Sequence, residues 1–171
     1  MGSKQSAFLD EFRRSFVHRF GETNWTGGQV AGNKASFNPL AKYRRNEEFR
    51  ANEGIELGDL VTQIGGFRLV IEFESEAMIV QNLIKYWPFL RGELDVTPTE
   101  HMVMLHFSDW RSWGSYRDLW EWIRERICND ADVRVGVSAE QFDHGGENTA
   151  IRTRSIGRAI DFVEQQLNEA L

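Results

Sequence analysis

Three carboxylates stand close together in the stretch GDLVTQIGGFRLVIEFESEAMIVQNLIKYW, residues 58–87. Asp59 precedes an apolar run, a Gly65–Gly66 pair follows, and Glu72 and Glu74 lie two residues apart on the returning run. With the two glycines at the centre of a tight hairpin turn, Ile64 faces Phe67, Gln63 faces Arg68, Val61 faces Val70 and Asp59 faces Glu72. Side chains alternate along a strand, so Asp59, Glu72 and Glu74 share a face with Val61 and Val70. The opposite face, with Leu60, Ile64, Phe67, Leu69, Ile71 and Phe73, is core. Like charges opposed on a sheet are destabilising, and something must offset them. Three explanations stand at this point: the carboxylates point into water, one of them keeps a proton, or a hard divalent cation sits among them.

The next residues bear on the same place. Ser75 caps a helix expected over 76–87, stopped before Pro88, on which Gln81, Asn82 and Lys85 share a side and Tyr86 lies one turn beyond Asn82. A helix fed directly by a strand packs back over the sheet, which would bring Lys85 toward Glu72 and Glu74. The alternative is an ordinary surface lysine.

This pattern resembles the PD-(D/E)xK nuclease superfamily, whose signature is an Asp near the start of one strand and an acidic residue, any residue and Lys on the next. The resemblance covers roughly residues 39–139. It implies a restriction-endonuclease-like fold and a Mg²⁺- or Mn²⁺-dependent nuclease that hydrolyses phosphodiester bonds of nucleic acid, in the first place DNA. Asp59 and Glu72 would be metal ligands with Glu74 beside them, and Lys85 would orient the attacking water or stabilise the phosphoryl oxygens. Gly58 stands where the family often has Pro, and Glu74 where it usually has Lys, so the lysine would come from the neighbouring helix. Asn82 and Tyr86 look similar to the Gln-x-x-x-Tyr helix of the exonuclease branches and would face the nucleic acid. Lys42, Arg44 and Arg45, in KYRRN, would contact phosphates. The rival reading is a catalytically inactive nuclease-fold protein that binds another protein through its acidic surface and Trp-rich loop. A homodimer would suit cutting of two strands.

Phe8, Phe12, Phe16 and Phe20 mark a helix from Ser6 to Phe20, ended by Gly21. A long loop to residue 38 and a helix over 39–54 follow, then strands over 55–64 and 67–74. HMVMLHF (101–107) reads as a buried central strand, and 115–127 as an amphipathic helix with Leu119, Trp122 and Ile123 inward. DVRVGVSA (132–139) alternates as a strand, HGGEN is a turn, and a helix from Ser155 closes the chain. The pattern predicts one α/β domain over 1–171. An N-terminal helix and loop (1–38), a core (39–139) with a mixed sheet of four to five strands flanked by helices on both faces, and a C-terminal turn and helix (140–171) make it up.

Composition sets bounds on this reading. The net charge is −6, yet residues 1–50 hold 9 Lys/Arg against 5 Asp/Glu while the remainder holds 11 against 21. A basic first third beside an acidic body fits a phosphate-facing edge, or simply the way solvated faces fall. Cys128 is the only cysteine, which excludes an intramolecular disulfide, and it reads as a small buried apolar residue. There is no apolar run long enough to span a bilayer and no signal-peptide pattern at the start, so the expected setting is the cytoplasm, without a membrane partner. The four histidines share no zinc-ligand spacing. Trp110 and Trp113 are expected in a loop, where they either cap the core or present aromatic surface to a partner.

Overall fold

A computed structural model of the chain describes residues 3–27, 34–37, 55–95, 99–111 and 116–169. Its first helix, α1 (Ser3–Phe20), follows from the phenylalanine stripe: Phe8, Phe12 and Phe16 are buried and Phe20 packs beside them. Gly21, at φ +85°, ends it by donating its N–H to the Val17 carbonyl at 2.8 Å. The helix begins three residues ahead of Ser6, the expected start, so Ser6 lies inside it.

The remaining elements are β1 (Thr26–Gly27), β2 (Lys34–Phe37), β3 (Ile55–Glu56), β4 (Leu60–Ile64), β5 (Phe67–Phe73), α2 (Gln81–Ile84), α3 (Tyr86–Leu90), β6 (Leu94–Asp95), β7 (His101–Ser108), α4 (Arg117–Cys128), β8 (Gly136–Asp143) and α5 (Thr149–Glu169). The main sheet runs β4-β5-β7-β8, with the two-residue β1 paired along the β4 edge. β4 and β5 are antiparallel in the expected register, Ile64 opposite Phe67 and Val61 opposite Val70. β5, β7 and β8 are mutually parallel, joined by helical crossovers. A small second sheet pairs β2 with β3 and β6.

The α/β class, the mixed sheet and helices on both faces are therefore as expected. Alternation along the strands makes the two faces. Leu69, Ile71, Phe73, Val103, Leu105 and Phe107 pack against α1 and α5. Val70, Met102 and Met104 pack against residues of α2, α3 and α4. Fully covered on both sides, β7 reads as a near-continuous apolar run.

Several boundaries differ from expectation, each for a local reason. The helix expected over 76–87 is two short helices meeting at Lys85. Pro88 is accommodated in the first turn of α3, where an N–H would lack a helical partner anyway. On α4 the inward stripe is Trp120, Ile123 and Ile127, at i, i+3 and i+7, while Leu119 and Trp122 are rotated off it and exposed. β8 begins at Gly136, because pairing with His101 sets its start, and runs on through Asp143. Val133 and Val135 precede it and pack partly buried against the second core. The segment expected to be loop contains β1 and β2. α5 starts at Thr149, with the Asn148 side chain accepting the Ile151 N–H at 3.1 Å just ahead of it. Cys128 is exposed at the end of α4, not buried. The helix expected over 39–54 and Trp113 lie outside the described residues.

Candidate metal and phosphate site

The carboxylates gather at the end of the β4–β5 hairpin remote from its glycine turn, on the face covered by α2 and α3. Glu72, the last but one residue of β5, is 5 % exposed. Three donors converge on its Oε1: the Gly58 N–H at 3.0 Å, the Lys85 ammonium at 2.7 Å and the Tyr86 hydroxyl. Gly58 makes its contact possible. Its φ is +84°, and a Cβ there would lie 2.7 Å from Val61 Cγ2 and 2.8 Å from Val70 Cγ1. Lys85, which joins α2 to α3 with helical angles of φ −59° and ψ −21°, and the next residue, Tyr86, both reach Glu72.

Its two neighbours are held in the same manner, each from one side. Asp59 accepts the Phe73 N–H on Oδ2 at 2.8 Å, and its own N–H donates to the Ile71 carbonyl at 2.9 Å. Glu74 accepts the Asn82 side-chain amide on Oε1, with His106 Nε2 3.7 Å from the same oxygen. Among the described residues no hydrogen bond reaches Oε2 of Glu72 or of Glu74. Glu56, Gly58, Asp59, Glu72, Glu74, Asn82 and Lys85 line an open cavity of about 390 Å³.

Burial dominates the electrostatics. It pushes the Glu72 carboxyl up to about 7, against the pull of Lys85 and Tyr86 toward the charged form. It raises Asp59 as well, opposed by the Phe73 N–H and Lys85. The Tyr86 phenol is held well above its ordinary value by burial and by Glu72. Glu72 is thus not in water, and the half-buried Lys85 offsets its charge.

Asp59, Glu72, Glu74, Asn82, Lys85 and Tyr86, all expected at one site, are brought together. Lys42, Arg44 and Arg45 lie outside the described residues. His106 is a member the sequence reading weighs only as a zinc ligand. It sits opposite Glu72 in the parallel pairing of β5 with β7, and its Nδ1 accepts the Trp120 indole N–H at 2.9 Å. The signal was a lone histidine in an apolar strand, but only the β5–β7 register places it.

The donor set suits a hard cation. Mg²⁺ prefers oxygen, keeps several waters and takes one or two carboxylates. Two carboxylates pinned at one oxygen with the other unbonded, beside an open polar cavity, match that demand. Among the described residues no three His, Cys, Asp or Glu side chains stand close enough to form a ready-made metal cage, so Asp59 or Glu74 would have to draw in toward Glu72. Compared with known proteins, the chain matches no family model, no curated protein and no solved structure.

Proposed function

We propose that the chain is a metal-dependent nuclease of restriction-endonuclease-like fold, hydrolysing phosphodiester bonds in nucleic acid. The observation that carries this reading is Lys85. It comes from the helix junction after the second carboxylate strand and stands 2.7 Å from Glu72, in the cavity that Asp59 and Glu74 also line. A strand carrying Glu72-x-Glu74 without its own lysine thereby acquires one in space.

Asp59, Glu72 and Glu74 would hold Mg²⁺ or Mn²⁺, which supplies a Lewis acid for the phosphoryl oxygens and an acidic bound water. The chain's own residues do the rest. Gly58 and Tyr86 fix Glu72 through Oε1, so that Oε2 is presented in one orientation. Asn82 does the same for Glu74. Lys85 places an ammonium where negative charge develops on the phosphoryl oxygens, and where it can orient the attacking water. Tyr86, kept protonated by burial, remains a donor throughout.

The test is cleavage of mixed DNA and RNA substrates with Mn²⁺ or Mg²⁺, wild type beside Glu72→Ala and Lys85→Met, with chelator as control. Metal-dependent cutting that both variants lose is the expected result. A second reading, a protein-binding module without catalysis, is favoured by Tyr116, Leu119 and Trp122, large side chains exposed on and beside α4. No cutting, together with no rise in melting temperature on adding metal, would replace the first reading by the second.

A further inference from the structure

The other face of the same strand end holds a second cavity, of about 440 Å³, lined by Lys4, Phe73, Ser75, Arg111, His144 and Arg152 together with Asp109 and Glu147. It opens beyond the carboxyl ends of the parallel strands β5, β7 and β8, where ligands of open α/β sheets bind. Phe73 lines both cavities. Their charges are opposite: four carboxyl groups and one lysine line the first, three cations and two carboxyl groups the second.

His144 is the pointer to a ligand. It is 5 % exposed, stacked on Phe73 at 4.9 Å, and its Nδ1 accepts the Gly146 N–H at 2.8 Å. The neutral ring therefore carries its proton on Nε2. That atom is buried and makes no well-formed hydrogen bond among the described residues, although the Ser75 main chain acts on the ring as a weak acceptor. A buried donor left in this way costs the fold free energy unless something accepts from it. The turn that fixes it is built for the purpose. Gly145 and Gly146 both have positive φ, Gly145 donates to Asp143 Oδ1 at 2.9 Å, and a Cβ on Gly146 would run into the Arg111 guanidinium. Arg152 donates to the Gly146 carbonyl at 2.7 Å. Two of the three cations are not locked away, whereas Arg152 also pairs with Glu11 at 3.6 Å. Lys4 pairs with Glu147 through side chains 78 % and 88 % exposed, and the Arg111 side chain, paired with Asp109, is 57 % exposed. Exposed pairs of this kind are weak and share their cations readily.

We propose that this cavity holds a phosphate group of the nucleic-acid strand, adjacent to the phosphodiester at the carboxylates, with His144 Nε2–H, Arg111, Lys4 and Arg152 as its donors. The proposal rests on the nuclease reading for the identity of the strand, but phosphate binding here needs neither metal nor catalysis. The experiment follows the His144 imidazole resonances by ¹⁵N NMR in chelator, titrating inorganic phosphate in one arm and a short single-stranded DNA in the other. Wild type is run beside Arg111→Gln, Lys4→Gln and Glu72→Gln. Saturable His144 shifts with both probes are expected, with Arg111→Gln weakening each by about fivefold, Lys4→Gln by less, and Glu72→Gln leaving phosphate binding intact. No His144 shift with either probe, or full affinity in Arg111→Gln, overturns the site. Shifts with inorganic phosphate but not DNA overturn the strand assignment. Binding of both without any cleavage would fail the nuclease reading while leaving this site standing.

Discussion

Glu72 is an acid whose surroundings oppose one another. Burial favours the neutral carboxyl, while Lys85, Tyr86 and the Gly58 N–H favour the anion, and burial prevails, with the group titrating near 7 against an ordinary 4.5. Between those values the native protein binds more protons than the unfolded chain. Stability from this group is therefore present at low pH and lost as pH rises through 7, by an amount on the order of 3 kcal/mol. Most carboxylates act in the opposite sense. Glu72→Gln keeps an acceptor for Gly58 and Tyr86 but cannot ionise. Urea unfolding in chelator should show the variant gaining on wild type by about 2–3 kcal/mol between pH 5 and pH 8. A difference that does not change with pH would mean that Lys85 neutralises the full cost of burial. Next to it, Trp120→Phe removes the indole donor and leaves His106 Nδ1 buried without a partner. A loss of about 2 kcal/mol in urea unfolding is expected. Because the indole is what selects the Nε2–H form facing Glu74, weaker Mn²⁺ binding in calorimetry should accompany it.

At the scale of elements, the hairpin was legible because its signals are local. A Gly-Gly pair between two runs of alternating hydrophobicity gives the turn, the turn gives the register, and the register puts Asp59, Glu72 and Glu74 on one face. Lys85, Asn82 and Tyr86 were legible as near neighbours by helical spacing, although the helix that carries them is broken at Lys85. Leu83, Tyr86, Phe89 and Leu90, from both short helices, all enter the second core. The inward face of α4 was misread. Leu119 and Trp122 are as apolar as Trp120 and Ile127, and only the sheet decides which stripe it covers. His106 and His144 depend on pairing between strands far apart in sequence, and no spacing reveals that. Gly58 shows how an element boundary serves the site. Left-handed backbone and absence of a Cβ together let its N–H reach Glu72 beneath Val61 and Val70. Gly58→Ala combines a strained φ with two close contacts and should cost more than about 2 kcal/mol. Mn²⁺ affinity should fall with it, since Glu72 loses one of three tethers. An unchanged metal affinity would show that Lys85 and Tyr86 alone hold the carboxylate.

The whole molecule carries a net charge of −6, which repels a polyanion, so nucleic acid can be held only where positive charge is local. The sequence supplies it in the basic first third, with Lys42, Arg44 and Arg45, and the structure in the cavity of Lys4, Arg111 and Arg152. The cavity lies across the end of β5 from the acidic site, with Phe73 lining both, an arrangement that would lead a strand past the carboxylates without letting it bind broadly. Few phosphate contacts mean a shallow salt dependence. For single-stranded DNA in chelator, each contact contributes about 0.7 to the slope of log affinity against log salt. A slope of about −2 to −4 is expected for wild type, less negative by about 2 in the triple variant Lys42→Gln, Arg44→Gln, Arg45→Gln. Arg111→Gln should remove about one contact more when added to it. On the proposed metal-dependent reading, adding Mn²⁺ should tighten binding in wild type and not in Glu72→Ala, because only in wild type would the metal neutralise the acidic cavity. A triple variant with an unaltered slope would shift the phosphate contacts from the first third onto the second cavity, where the slope should then collapse with Arg111 and Lys4 alone.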